Sequence, residues 1–131
     1  MYLVDTNIWL ERLLDQDRSL EVGQFLALVP TDQLCMTDFS LHSIGVILTR
    51  LGQSAVLPEF VRDILLEGGV ALVSVQPRAF GRLVIVMRDY SLDFDDAYQY
   101  VAAEMTQADI VSFDADFLRT DRGRLLPVEI L

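Results

Sequence analysis

The sequence predicts a small α/β fold, a single domain over residues 1–131 with a mostly parallel central sheet flanked by helices. Three observations carry this. Short apolar runs bounded by polar or turn residues recur along the chain, and longer stretches with helical spacing separate them. At 131 residues and 52% hydrophobic composition, the chain is also long and apolar enough for one sizeable core. Strands joined through helices favour parallel pairing with both faces of the sheet covered.

Taken in order, Tyr2 to Val4 reads as the first strand because its apolar run ends abruptly at Asp5, Thr6 and Asn7. Helices are expected over Asn7 to Leu14 and Ser19 to Val29, with Leu20, Phe25, Leu26 and Val29 sharing one face of the second. Leu34 to Thr37 is the second strand. Ser40 is expected to cap a helix in which Leu41, Ile44, Ile47, Leu48 and Leu51 recur at helical spacing. Pro58 suits the first turn of a helix to Glu67, which Gly68 and Gly69 end. Val70 to Val75 is the third strand, Gln76 to Tyr90 and Asp93 to Thr106 are helices, and Ile110 to Ser112 and Pro127 to Ile130 complete five strands. No repeat, low-complexity segment or linker interrupts the chain, so a single domain without a tail is expected.

Composition excludes several classes of function. No apolar stretch approaches the roughly 18 residues of a membrane span, and the N-terminal residues lack the pattern of a signal peptide, so a soluble, cytoplasmic protein is expected. Cys35 is the one cysteine, in the apolar run Leu34-Cys35-Met36, which reads as a buried, inert thiol. With His42 the one histidine, a zinc cluster of Cys and His is impossible. The net charge of −10 repels nucleic acid at long range and argues against a generic coating module. All 10 bases are Arg, a residue suited to bidentate phosphate contacts as well as a common compositional bias.

Ligand crevices of open α/β sheets lie beyond the carboxyl ends of the strands. Asp5, Asp38 and Asp114 each follow a predicted strand, and Asp96 lies in the first turns of the helix beginning near Asp93. Singly, each has an ordinary explanation: Asp5 as a helix cap, Asp93, Asp95 and Asp96 as helix-start acids, Asp114 and Asp116 as turn residues. Together they converge on one edge of the sheet. Converging carboxylates need protons or a cation between them, and hard oxygen ligands suit Mg²⁺ or Mn²⁺.

The stretches LVDTNIW, LDFDDAYQYVAAE and DIVSFDADF, in this order over essentially the whole chain, resemble the PIN-domain family, which includes the VapC-like ribonuclease toxins. The resemblance implies that Asp5, Asp96 and Asp114 are metal-binding, catalytic acids. It makes Asp116 an auxiliary metal-binding acid, places Phe117 beneath the loop, and has Thr6 and Asn7 orient Asp5, a bound water or substrate. The family's second acid, a Glu, falls on Ser43 here; Asp38 and His42 lie near enough in sequence to be substitutes, and His42 would bias the metal toward Mn²⁺. The implied function is a metal-dependent endoribonuclease hydrolysing RNA phosphodiester bonds, the toxin of a toxin–antitoxin pair. The alternative is a catalytically weakened or inactive PIN-fold binding or scaffold protein, which the neutral Ser43 and the net charge favour. Arg119, Arg122 and Arg124, with Arg12, are the expected phosphate contacts. Implied partners are RNA, a second copy in a homodimer, and a small antitoxin that covers the site, with an apolar groove from Gly23 to Val29 and Pro58 to Leu66 as its seat.

Overall fold

In the computed structural model, which describes all of residues 1–131, strands β1 (Tyr2–Val4), β2 (Leu34–Thr37), β3 (Ala71–Val73) and β4 (Asp109–Val111) form one parallel sheet in the order β3-β2-β1-β4. Alternate strand residues point to opposite faces. Leu3, Cys35 and Ile110 pack on one face against α5 (Phe80–Tyr90) and α6 (Phe94–Thr106). Val4, Leu34, Met36 and Val111 pack on the other, against α1 (Thr6–Leu13), α2 (Ser19–Leu28) and α3 (Asp38–Arg50). That face is extended by α4 (Val56–Phe60), which runs on as a π-helical turn over Val61–Leu66. Trp9 is fully buried there and satisfies its indole N–H on Val4 O at 3.2 Å. Cys35 is buried, and burial pushes its thiol pKa up, as an inert core thiol requires. No helix is long and apolar enough to cross a membrane.

The chain visits β1, β2 and β3 on one side and then returns to place β4 on the other side of β1. The sheet therefore has its switch point between β1 and β4, and the loops leaving their carboxyl ends carry Asp5 and Asp114. The ladder runs one residue past β1, with Asp5 N–H donating to Val111 O at 2.9 Å.

Four expectations are corrected by the backbone. Pro127 to Ile130 is a short helix, α7, with Pro127 in its first turn; the fifth strand shrinks to a parallel bridge between Leu125 and Val111. Proline lacks the N–H a ladder needs and its fixed φ suits a helix start, so the strand cannot pass it. The cap of α3 is Thr37, whose Oγ1 accepts from Ser40 N–H at 3.0 Å, so the helix begins at Asp38 and Ser43 falls in its second turn. Pro58 is the third residue of α4, which starts earlier, at Val56. The expected helix from Gln76 divides into a 3-10 turn, Pro77–Ala79, and α5.

Candidate functional site

Asp5 is 7% exposed, at the bottom of a cleft beyond the carboxyl edge of the sheet. Its Oδ1 accepts from Thr6 N–H and from Gln99 Nε2, each at 2.8 Å, and its Oδ2 accepts from the Ser112 hydroxyl at 2.7 Å. Capping α1 and lining the cleft are thus one role. Burial raises the pKa of Asp5, the bonds from Gln99, Ser112 and Thr6 oppose that rise, and the nearby charge of Asp114 adds to it. Each carboxylate oxygen can accept about two hydrogen bonds. Oδ1 is filled, and Oδ2 retains room for one more ligand.

Asp96 and Asp114 line the same cleft, and Asp116 stands beside them. Asp93 caps α6 by accepting from Asp96 N–H at 2.9 Å, which fixes Asp96 on the first turn. Asp114 N–H donates to Ser112 Oγ at 2.9 Å, and Asp114 Oδ1 accepts from Asp116 N–H at 2.8 Å, opening the 3-10 turn Ala115–Arg119. One oxygen each from Asp96, Asp114 and Asp116 lies within 4.8 Å of the others. Asp5 is not within that span but shares the cleft with Asp96 and Asp114. Phe117 is fully buried beneath this turn, as expected.

The Asp96 carboxyl is pushed up to about 7, first by burial and then by the charges of Asp114, Asp93 and Asp5, with a hydrogen bond to Asp114 favouring the protonated form. An unfolded aspartate titrates near 3.9. Between these values the folded chain holds a proton that the unfolded chain has lost, so stability falls as pH rises from about 4 through 7. Asp96→Asn, neutral throughout, should melt at the same temperature as the parent near pH 4 and increasingly above it toward pH 8. Thermal melts in EDTA across that range check the sign; adding Mn²⁺ at pH 8 should raise the parent's Tm and close the gap.

Sequence reasoning missed the residue that ties the site together. Gln99 is buried in α6 and lines the cleft. Its Nε2 reaches both Asp5 Oδ1 and Ser40 Oγ at 2.8 Å, while its Oε1 accepts from Thr37 Oγ1 at 2.7 Å. Thr6 Oγ1 donates to Ser40 Oγ at 2.8 Å. Its position three residues after Asp96, hence on one helix face with it, was the available signal.

The other expected site residues separate. Ser43 lines the cleft although it lies a turn further along the helix than its predicted cap implied. Asn7 also lines it, with Oδ1 accepting from Phe113 N–H at 3.2 Å and Nδ2 donating to Ser112 Oγ at 3.3 Å, so it holds the β4 loop to α1. Asp38 does not: it is exposed and accepts from the Tyr98 hydroxyl at 2.8 Å. His42 lies on the outer face of α3, away from the carboxylates, because it is four residues past Asp38 on a helix whose inner face is Ser40, Ile44 and Leu48. Arg119 donates to Asp116 Oδ1 and to the carbonyls of Tyr90 and Ser91, and Arg122 donates to the carbonyl of Ala108; neither lines the cleft. Arg12 lies in a different groove, its guanidinium so close over Gly23 that a Cβ there would meet Arg12 Cζ at 2.8 Å.

The donor set of the cleft is carboxylate, amide and hydroxyl oxygen, without imidazole or thiol. That chemistry fits a hard divalent cation, as does a cluster in which burial and the repulsion between carboxylates push one carboxyl up to about 7 when nothing else balances the charge.

The sequence model of the PIN domain matches residues 2–123. No curated protein matches the chain significantly. Among solved structures, the sarcin–ricin loop cleaving toxin VapC20 of Mycobacterium tuberculosis superposes with a TM-score of 0.79 at 16% identity, covering 97% of this chain and 100% of its own. FitAcB from Neisseria gonorrhoeae gives 0.77 at 18% identity, with 98% and 99% covered. A toxin–antitoxin complex from Klebsiella pneumoniae gives 0.74 at 19%, with 97% and 98% covered. At such identities the likeness shows a shared fold.

Proposed function

Because this chain belongs to the PIN domain family, we propose that it is a metal-dependent endoribonuclease, acting on RNA phosphodiester bonds as the toxin of a toxin–antitoxin pair. The observation that carries the reading is the set of Asp96, Asp114 and Asp116 oxygens within 4.8 Å of one another, the first two in one cleft with a buried Asp5 at the switch point of the sheet. Asp5, Asp96 and Asp114, with Asp116, would hold Mg²⁺ or Mn²⁺. A divalent ion so held lowers the pKa of a bound water and stabilises the charge that develops on a scissile phosphate.

The chain's own residues prepare that site. Gln99, Ser112 and Thr6 aim Asp5 and oppose the rise that burial imposes on its pKa, each by a hydrogen bond to its carboxylate. Asp96, pushed up to about 7 by burial and the neighbouring acids, would release its proton in response to a bound cation's charge. Asn7 and Ser112 lock the loop carrying Asp114 to the helix start carrying Asp5.

The partner reading rests on a groove between α1, α2 and α4, lined by Trp9, Leu13, Leu26, Val56 and Phe60, with Glu59 and Asp63 among its polar lining residues. One of the solved neighbours is described as a toxin–antitoxin complex. An amphipathic antitoxin segment with basic residues suits such a groove. A homodimer is part of the same proposal.

The scaffold reading keeps one observation in its favour, the neutral hydroxyl of Ser43 in the cleft. Both readings are tested by incubating the protein with a panel of tRNA, rRNA fragments and oligoribonucleotides. Cutting in Mg²⁺ or Mn²⁺ that leaves 5′-phosphate ends and stops in EDTA supports the nuclease. Ser43→Glu should then bind metal several-fold more tightly and cut faster, most visibly at low Mg²⁺. Tighter metal binding with no cutting by either form leaves the scaffold.

A further inference from the structure

The cleft is acidic and the chain carries −10, so a polyanionic substrate needs cations somewhere along its path. Most arginines are already engaged. Arg18, Arg62, Arg82, Arg88 and Arg119 are paired with acids, and Arg12 and Arg122 donate to backbone carbonyls. Arg50 is exposed and makes neither an ion pair nor a side-chain hydrogen bond. Arg78 and Arg124 are likewise unpaired but line no groove, and the Nε of Arg124 is buried without a partner.

Arg50 does line one. A shallow groove along α3 is formed by Phe39, His42, Ser43, Val46, Ile47 and Arg50, and it shares Phe39, Ser43 and Ile47 with the acidic cleft. A second depression continues beside it and again includes His42 and Arg50. The spacing of 39, 42, 43, 46, 47 and 50 is one face of a helix, so the groove adjoins the cleft at Phe39, Ser43 and Ile47 and follows α3 to Arg50 in its last turn. No Asp or Glu lines either part, on a chain with 20 acids against 10 bases. Phe39 stands where groove and cleft meet, half-buried, its ring 5.7 Å from that of Tyr98. From His42 to Arg50 is about 12 Å of helix, enough to follow more than one nucleotide.

We infer that this face of α3 is the track on which single-stranded RNA enters or leaves the cleft, with a base against Phe39 and backbone phosphates on His42 and Arg50. The chemistry matches: a guanidinium and a ring N–H offer donors to phosphate, and an aromatic face accepts any unpaired base. The inference rests on the ribonuclease reading and names the part of the substrate that lies beyond the scissile bond. Arg50 also sits in the last turn of α3, where a cation complements the macrodipole, but that role needs no groove.

The test uses a fluorescein-labelled oligouridylate, bound in Ca²⁺ and followed by anisotropy over a range of salt. Arg50→Gln should weaken binding roughly ten-fold at low salt and flatten the plot of log affinity against log salt by about 0.7, the contribution of one phosphate contact on a single strand. Phe39→Leu should weaken binding without changing that slope. Hydrolysis of bis(p-nitrophenyl) phosphate, too small to span the groove, should be equal in the parent and in Arg50→Gln. An unchanged slope in Arg50→Gln, or a parent that does not bind the oligouridylate, overturns the track. A change of oligomeric state in Arg50→Gln by sedimentation also overturns it, and makes this face an interface between copies. RNA binding with an Arg50-dependent slope but no hydrolysis of any diester keeps the track and removes the nuclease; hydrolysis with an unaffected slope does the reverse.

Discussion

Asp114→Asn should lower Mn²⁺-dependent cleavage of RNA by roughly 100-fold or more, the scale on which losing one electrostatic stabiliser of a transition state acts. The substitution is clean because of how Asp114 is held. Its Oδ1 accepts from Asp116 N–H at 2.8 Å, and an Asn carbonyl can keep that bond and the turn it opens. Only the other atom changes, from an acceptor facing Asp96 to an N–H₂ that cannot bind a cation. Removing that charge also relieves Asp96, so the metal-free variant should melt no lower than the parent at pH 8. Cleavage, metal affinity by titration calorimetry and Tm are read on the same preparation. Full activity at unchanged metal affinity would remove Asp114 from the site.

Asp5→Asn should also lose cleavage, but less cleanly. Ser112 Oγ donates to Asp5 and already accepts from Asn7 Nδ2 and Asp114 N–H. An amide N–H₂ at position 5 would present a donor to a hydroxyl whose acceptor sites are filled. Its loss of activity therefore comes with a loss of stability, whereas that of Asp114→Asn does not.

The contrast between these two aspartates shows what the sequence could and could not disclose. That Asp5 and Asp114 meet was legible, because strand and helix alternation puts strand-end residues on one edge, and the strand at Tyr2–Val4 is found as expected. What each carboxylate touches was not. Thr37, Ser40, Gln99 and Ser112 are small or neutral polar residues inside apolar elements, and their pairing spans up to 107 residues of chain. Only the packing of α3 and α6 against the strand ends brings them together. The cap of α3 was misplaced for a related reason: Ser40 and Thr37 are both good caps, and the choice fell to Thr37 because Ser40 turns inward to Gln99. The phosphate contacts expected at Arg119, Arg122 and Arg124 rest on closeness in sequence to Asp114, yet none of the three lines the cleft. The 3-10 turn instead sends Arg119 back onto the carbonyls that end α5.

Gln99→Leu should weaken Mn²⁺ binding by roughly 10- to 100-fold, the usual cost of removing the partner that orients a metal ligand. Leucine fills nearly the same space, so the effect is polar. The Thr37 hydroxyl loses its acceptor, Ser40 loses a donor, and Asp5 loses the hydrogen bond that does most to lower its pKa. Each buried group left unsatisfied costs about 1–3 kcal/mol, so urea unfolding should show a clear loss of stability. The pH dependence separates positioning from simple damage. Burial already holds Asp5 above its ordinary pKa, and without Gln99 that pKa must climb further. A cation binds only the carboxylate, so the variant's deficit should be greatest at the acid end of the range and shrink as pH rises. Gln99→Glu keeps the reach; protonated, it has one donor where Gln99 serves both Asp5 and Ser40, and its affinity should fall between the other two. A loss that is the same at every pH, or a Gln99→Glu variant equal to the parent, would make Gln99 a packing residue and leave Asp5 to be positioned by Ser112 and Thr6.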